Sequence, residues 1–186
     1  MKKILKIIGI YLFLIVVNQS CLNEHDYISD IEFSGATGSN LNNEKNYNYF
    51  TKTDVLKNDI IFIIGYKYQS MASLDLGLSE KCYAFSGGQS IDNDILEDTY
   101  SLKFDRPFKY KNLIINANQN LFEIDEIKNQ IKIYEGLSEG ANKVILFSQE
   151  FKSESVFTSE DYEVTFNCST SDNRNFEKKI IVKIEN

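Results

Sequence analysis

Apolar and polar residues alternate with a period of two over most of this chain, the pattern of strands with one buried face. Tyr27-Ile28-Ser29-Asp30-Ile31-Glu32-Phe33 alternates in this way. Residues 99–104 (Thr-Tyr-Ser-Leu-Lys-Phe) do so too, and Cys82–Phe85, Leu113–Ile115, Lys143–Phe151, Asp161–Cys168 and Phe176–Ile184 predict further short strands. The stretch from Asp59 to Gln69 opens instead with an unbroken apolar run, which predicts a central strand covered on both faces for half its length. Gly87-Gly88, Asp105-Arg106-Pro107 and Thr170-Ser171-Asp172-Asn173 read as turns, and residues 34–49 and 70–80 as loops.

One segment follows another period. Leu121, Ile124, Ile127, Ile131 and Tyr134 recur at three or four residue spacing, with Asn120 placed to cap and Gly136 to stop a short helix over about 121–134. Ile131 and Ile133 also fit a strand at Gln130–Tyr134. Seven or eight short strands with polar turns predict a mainly β fold. It is an antiparallel β-sandwich, of which an immunoglobulin-like arrangement is one form, in a single domain over 27–186.

The amino terminus departs from the β pattern. Lys2, Lys3 and Lys6 precede an apolar run from Ile7 to Val17, and Asn18-Gln19-Ser20 leads to Cys21. That is the plan of a secretory signal over 1–20, and a run of about eleven residues falls short of the roughly twenty that span a bilayer as a helix. A cysteine directly after the run, with small Ser20 before it, predicts lipidation of Cys21 and cleavage before it. Residues 21–26 then form a tether. Cleavage by the general signal peptidase, leaving a free secreted protein, is the competing expectation. Three acyl chains exceed what stable membrane residence requires, at about 0.8 kcal/mol per buried methylene.

Charge narrows the partners. Beyond Ser20 the chain keeps 17 basic and 27 acidic residues, a formal charge of −10, and Lys178-Lys179 is its sole basic pair. Such a field repels phosphate backbones, so nucleic acid is excluded as a partner. The absence of Trp beside 13 Phe and 11 Tyr, with Pro107 the one proline, suits a sheet protein without a Pro-rich linker.

Candidate chemistry is sparse. With Cys21 consumed by lipid, Cys82 and Cys168 are either a disulfide joining the middle of the chain to its end or two buried reduced thiols, and spacing does not choose between them. A disulfide closing so long a loop would add about 4–5 kcal/mol in the chain-entropy model. His25 is the one histidine and falls in the expected tether, so Ser-His-Asp and Cys-His catalysis in the folded part are excluded in their usual forms. Asp92, Asp94 and Asp98 resemble the start of a calcium loop, but Leu96 and Glu97 stand where a third alternating ligand and a glycine belong. A solvated acidic turn is the favoured reading, and neither metal nor cofactor is expected. Tyr47 and Tyr49 lie in a polar loop where aromatic rings stack on sugars, although scattered surface aromatics are ordinary. The 27 acids always allow some pair at the separation glycoside hydrolysis needs, so a carboxylate-dependent glycan hydrolase stays open.

The signal ending at Cys21, the Tyr-Ile-Ser-Asp-Ile-Glu-Phe strand, Cys82-Tyr83-Ala84-Phe85, Asn118-Gln119-Asn120-Leu121-Phe122 and the alternating C-terminal strands together resemble an uncharacterised family of small Bacteroidota lipoproteins of unknown function. The resemblance implies an outer-membrane address. Glu24 and Asp26 are similar to the acidic export signals that follow the cysteine in surface-exposed members, which leaves both the cell surface and the periplasmic face open. The expected role is a non-enzymatic, membrane-tethered binding or accessory module for a protein or glycan. An accessory subunit of an outer-membrane nutrient-uptake complex and the glycan hydrolase are the alternatives.

Overall fold

The computed structural model describes residues 21–38, 50–57, 60–75, 90–91, 93–138, 141–158 and 160–185, with backbone alone for 21–25, 50, 57, 70–75, 90–91 and 137–138. Contacts divide the chain into two units, Met1–Tyr27 with Tyr68–Asp92, and Ile28–Lys67 with Asn93–Asn186. In the first, β1 (Cys21–Gly38) pairs in parallel with β5 (Ser90–Ile91), His25 opposite Ser90 and Asp26 opposite Ile91.

Among its described residues the second unit holds three sheets. In the first sheet β2 (Phe50–Lys52), β1, β4 (Ile61–Asp75), β10 (Ala141–Phe147) and β9 (Ile131–Ser138) lie side by side in that order. The second runs β3 (Val55–Lys57), β13 (Asn175–Glu185), β12 (Asp161–Thr170), β6 (Ile95–Phe104). The third is small, β11 (Ser155–Val156), β7 (Phe108–Tyr110), β8 (Leu113–Ile115). β1 pairs antiparallel with β2, β10 with β4 and β9, β12 with β13 and β6, and β7 with β11 and β8, whereas β13 and β3 run parallel. The helices α1 (Asp125–Lys128) and α2 (Gln149–Glu154) are each a turn or so long, and a 3-10 turn over Leu121–Glu123 leads into α1. No helix among the described residues is long and apolar enough to cross a membrane.

The first two sheets face each other as a β-sandwich, and the alternation read from the sequence supplies the contact. On β12 Tyr162, Val164, Phe166, Cys168 and Thr170 point inward and are buried, while the residues between them stay at least partly open. Phe33 of β1 stacks on Phe166 of β12 with centroids 5.3 Å apart, and Phe62 of β4 meets Phe104 of β6 edge-on at 6.3 Å. The rings continue through Phe108, Phe157 and Phe151 beneath the small sheet, with Phe108 and Phe157 stacked at 4.7 Å. On β4, Ile61 to Ile64 are all at most 4 % exposed, as expected of a strand covered on both faces. Phe62 and Ile64 join the sandwich core, while Ile61 and Ile63 join Ala36, Ala141, Val144 and Leu146 in a second cluster on the other face of the sheet.

Polar side chains take the place of missing strand neighbours. Asn93, 2 % exposed, accepts a 2.7 Å bond from the Ile28 amide and donates to the Ile28 carbonyl and to Asp172. Asn120 accepts from the amides of Leu102 (3.1 Å) and Phe122 (3.3 Å) and donates to Glu123. The Tyr162 hydroxyl, on a fully buried side chain, accepts a 2.8 Å bond from the Thr158 amide and so ties the chain entering β12 to that strand's first turn.

Several expectations change. The helix over 121–134 is cut to the 3-10 turn and α1, because Ile131 enters β9 opposite Phe147 and the ladder satisfies the backbone groups a longer helix would use. The strand reading of Gln130–Tyr134 is therefore realised from Ile131 onward. Asn120 does cap, but Gly136 lies inside β9, where a methyl group would run into the Ala141 carbonyl. Lys143–Phe151 splits into β10 and α2, since the Ser148 hydroxyl accepts from the Phe151 amide and starts a helix. Residues 21–26, read as a tether, are extended in β1, held by pairing to β5. Part of the expected 34–49 loop belongs to β1, and β4 runs on to Asp75. Cys82–Phe85 and Gly87-Gly88 lie outside the described residues.

Replacing Tyr162 by Phe leaves a partly buried amide without its acceptor. It should lower unfolding free energy by about 1–2 kcal/mol in urea titrations with the far-UV spectrum unchanged. Arg174, and after it Thr170 and Asn93, hold Asp172 well below the usual carboxylate range. A depressed folded value stabilises above the ordinary 3.8 and is lost as pH falls below it. Asp172→Asn should therefore flatten the acid limb of the stability profile, and an unchanged acid limb would show that the carboxylate is not coupled to folding.

Candidate functional site

A cleft of about 520 Å³ lies between the β7–β8 turn and α1 and is lined by Tyr110, Lys111, Asn112, Leu113, Glu126 and Gln130. Tyr110 pairs with Leu113, so Lys111-Asn112 is a two-residue turn, and Lys111 takes φ 53°, a left-handed value that costs most side chains strain. Three contacts hold it there. Its amide donates 3.0 Å to the Glu154 carbonyl, its ammonium lies 5.4 Å from the Tyr110 ring centre, and the same ammonium pairs with Glu150. Tyr110 in turn stacks on Phe151 of α2 at 5.4 Å. The opposite wall is fixed by burial of Ile124 and Ile127 and by the Ser148 amide, which donates 2.8 Å to the Gln130 carbonyl.

Electrostatically the cleft is nearly spent. The Glu150 carboxylate holds Lys111 above its ordinary value and is itself held low by Lys111, so the ammonium is neutralised where it stands. Exposed Glu126 and Asn112 offer a carboxylate and an amide to a ligand, and Leu113 offers an apolar patch. Such a lining forms hydrogen bonds and excludes some water.

A second cluster links the two sheets, with its carboxylates exposed to solvent. Lys143 of β10 pairs with both Glu97 of β6 and Glu135 of β9. Burial pulls the Lys143 ammonium down, but the two carboxylates outweigh it and hold it above the usual range. Tyr66, Tyr100 and Cys168 are neighbours inside. Burial pushes the Tyr100 hydroxyl and the Cys168 thiol each up to about 12, and the Tyr66 hydroxyl is also raised by burial and by Tyr100. Both carboxylates are thus committed to the same ammonium. The arrangement works as an ionic clasp joining one sheet to the other.

The residues singled out from sequence scatter. Cys21 begins β1, with its side chain outside the described set, as is that of His25. Cys82 is outside it altogether, and Cys168 is a free, buried thiol on β12. Asp92 also lies outside. Asp94 is exposed and exchanges backbone bonds with Ser171, its amide donating to the Ser171 hydroxyl, and Asp98 is exposed on β6. No group of three or more His, Cys, Asp or Glu able to hold a metal ion occurs among the described residues. Asp26, read as part of an export signal, is only 7 % exposed. Tyr47 and Tyr49 are outside the described residues.

Comparison with protein-family models, curated proteins and solved structures found no match for the chain. The cleft and the clasp therefore stand on their geometry alone. Sequence reasoning missed both, because their members are ordinary polar residues brought together by pairing. The one available signal was Lys111-Asn112 between two short apolar runs, which fits a two-residue hairpin.

The raised Cys168 value stabilises fully below 9.0 and is lost as pH rises toward about 12. Cys168→Ala should flatten the alkaline limb of the stability profile. In the native protein near neutral pH the Cys168 thiol should resist a soluble alkylating reagent and become labelled on denaturation, as read by peptide mass spectrometry. Rapid labelling without denaturant would mean that the thiol is accessible.

Proposed function

We propose that the chain is the precursor of an extracytoplasmic lipoprotein, cut before Cys21 and held on the outer membrane by lipid on that residue. Its β-sandwich then serves as a non-enzymatic binding module. The observation that carries the anchoring is the order Lys2-Lys3, Lys6, an apolar run of about eleven residues, then Ser20-Cys21. Lipid on the amino terminus relieves the polypeptide of any need for a membrane-binding face. The cleft at the β7–β8 turn supports binding rather than catalysis. Its ammonium is already paired and its walls are fixed by Tyr110, Phe151 and Gln130, leaving Glu126 and Asn112 to meet a ligand.

Binding at the cell surface and binding in the periplasm use the same geometry. Protease shaving of intact cells separates them.

Metabolic labelling with a palmitate analogue should mark the wild type and not Cys21→Ala, and an unlabelled wild type would overturn the anchoring. For the cleft, Glu126→Arg should change stability by no more than about 0.5 kcal/mol, as an exposed site allows. The same change should abolish retention of the domain on whichever arrayed envelope glycans or peptides the wild type binds. Equal retention by both proteins would remove the cleft from the binding surface.

A further inference from the structure

We draw no further inference here: the strongest candidate, the second apolar face of the β2-β1-β4-β10-β9 sheet where Ile61, Ile63, Val144 and Leu146 are buried, carries nothing because nothing in the structure shows what covers it.

Discussion

Phe33 and Phe62 on one sheet meeting Phe104 and Phe166 on the other is the contact from which the rest of the second unit follows. Each ring is buried at 8 % exposure or less, Phe104 and Phe166 on strands that alternate and Phe62 on a stretch covered on both faces. Rings of this size gain more from burial than any polar contact here, and their edge-on and stacked geometry adds about 0.5–1.5 kcal/mol per pair. A one-residue slip in β6 or β12 would turn that strand's own ring, Phe104 or Phe166, to the outer face, so the aromatic contact also fixes register. The small sheet and α2 are satellites of the same cluster, reached through Phe108, Phe151 and Phe157.

Site geometry inherits that rigidity. The Lys111 turn keeps its left-handed backbone because Tyr110 is clamped on Phe151, and Phe151 belongs to the aromatic core. The Lys143 clasp likewise joins strands already aligned by the rings, with Glu97 and Glu135 approaching from different sheets. Both features are consequences of packing, and only the Lys111-Asn112 turn has a local cue in the sequence.

That explains what was legible in the sequence. β6, β12 and β13 were readable because each has one buried face and alternates cleanly, and β4 because an apolar run of its length has no other soluble role. β2, β3, β7 and β11 have two or three residues each, too few for any period to register. Ile124, Ile127 and Ile131 satisfy helical spacing and are all buried, yet Ile124 is the extended residue before α1, Ile127 lies in α1 and Ile131 enters β9, because tertiary pairing with Phe147 overrides a short helix of marginal propensity. Candidate chemistry was less legible still. Cys, His and clustered Asp stand out in a sequence, whereas Glu126, Asn112 and Lys143 look like any solvated residue until the fold sets them beside a partner.

Asn120 has a role that reaches past its own turn. β6 is an outer strand, and its outward Leu102 amide and Phe104 carbonyl are already taken by the Asn120 side chain and the Asn118 amide. Open ladder groups of this kind are what neighbouring molecules use to zip together into fibres. A strand whose free margin is partly plugged by its own chain offers neighbouring copies a shorter ladder to extend.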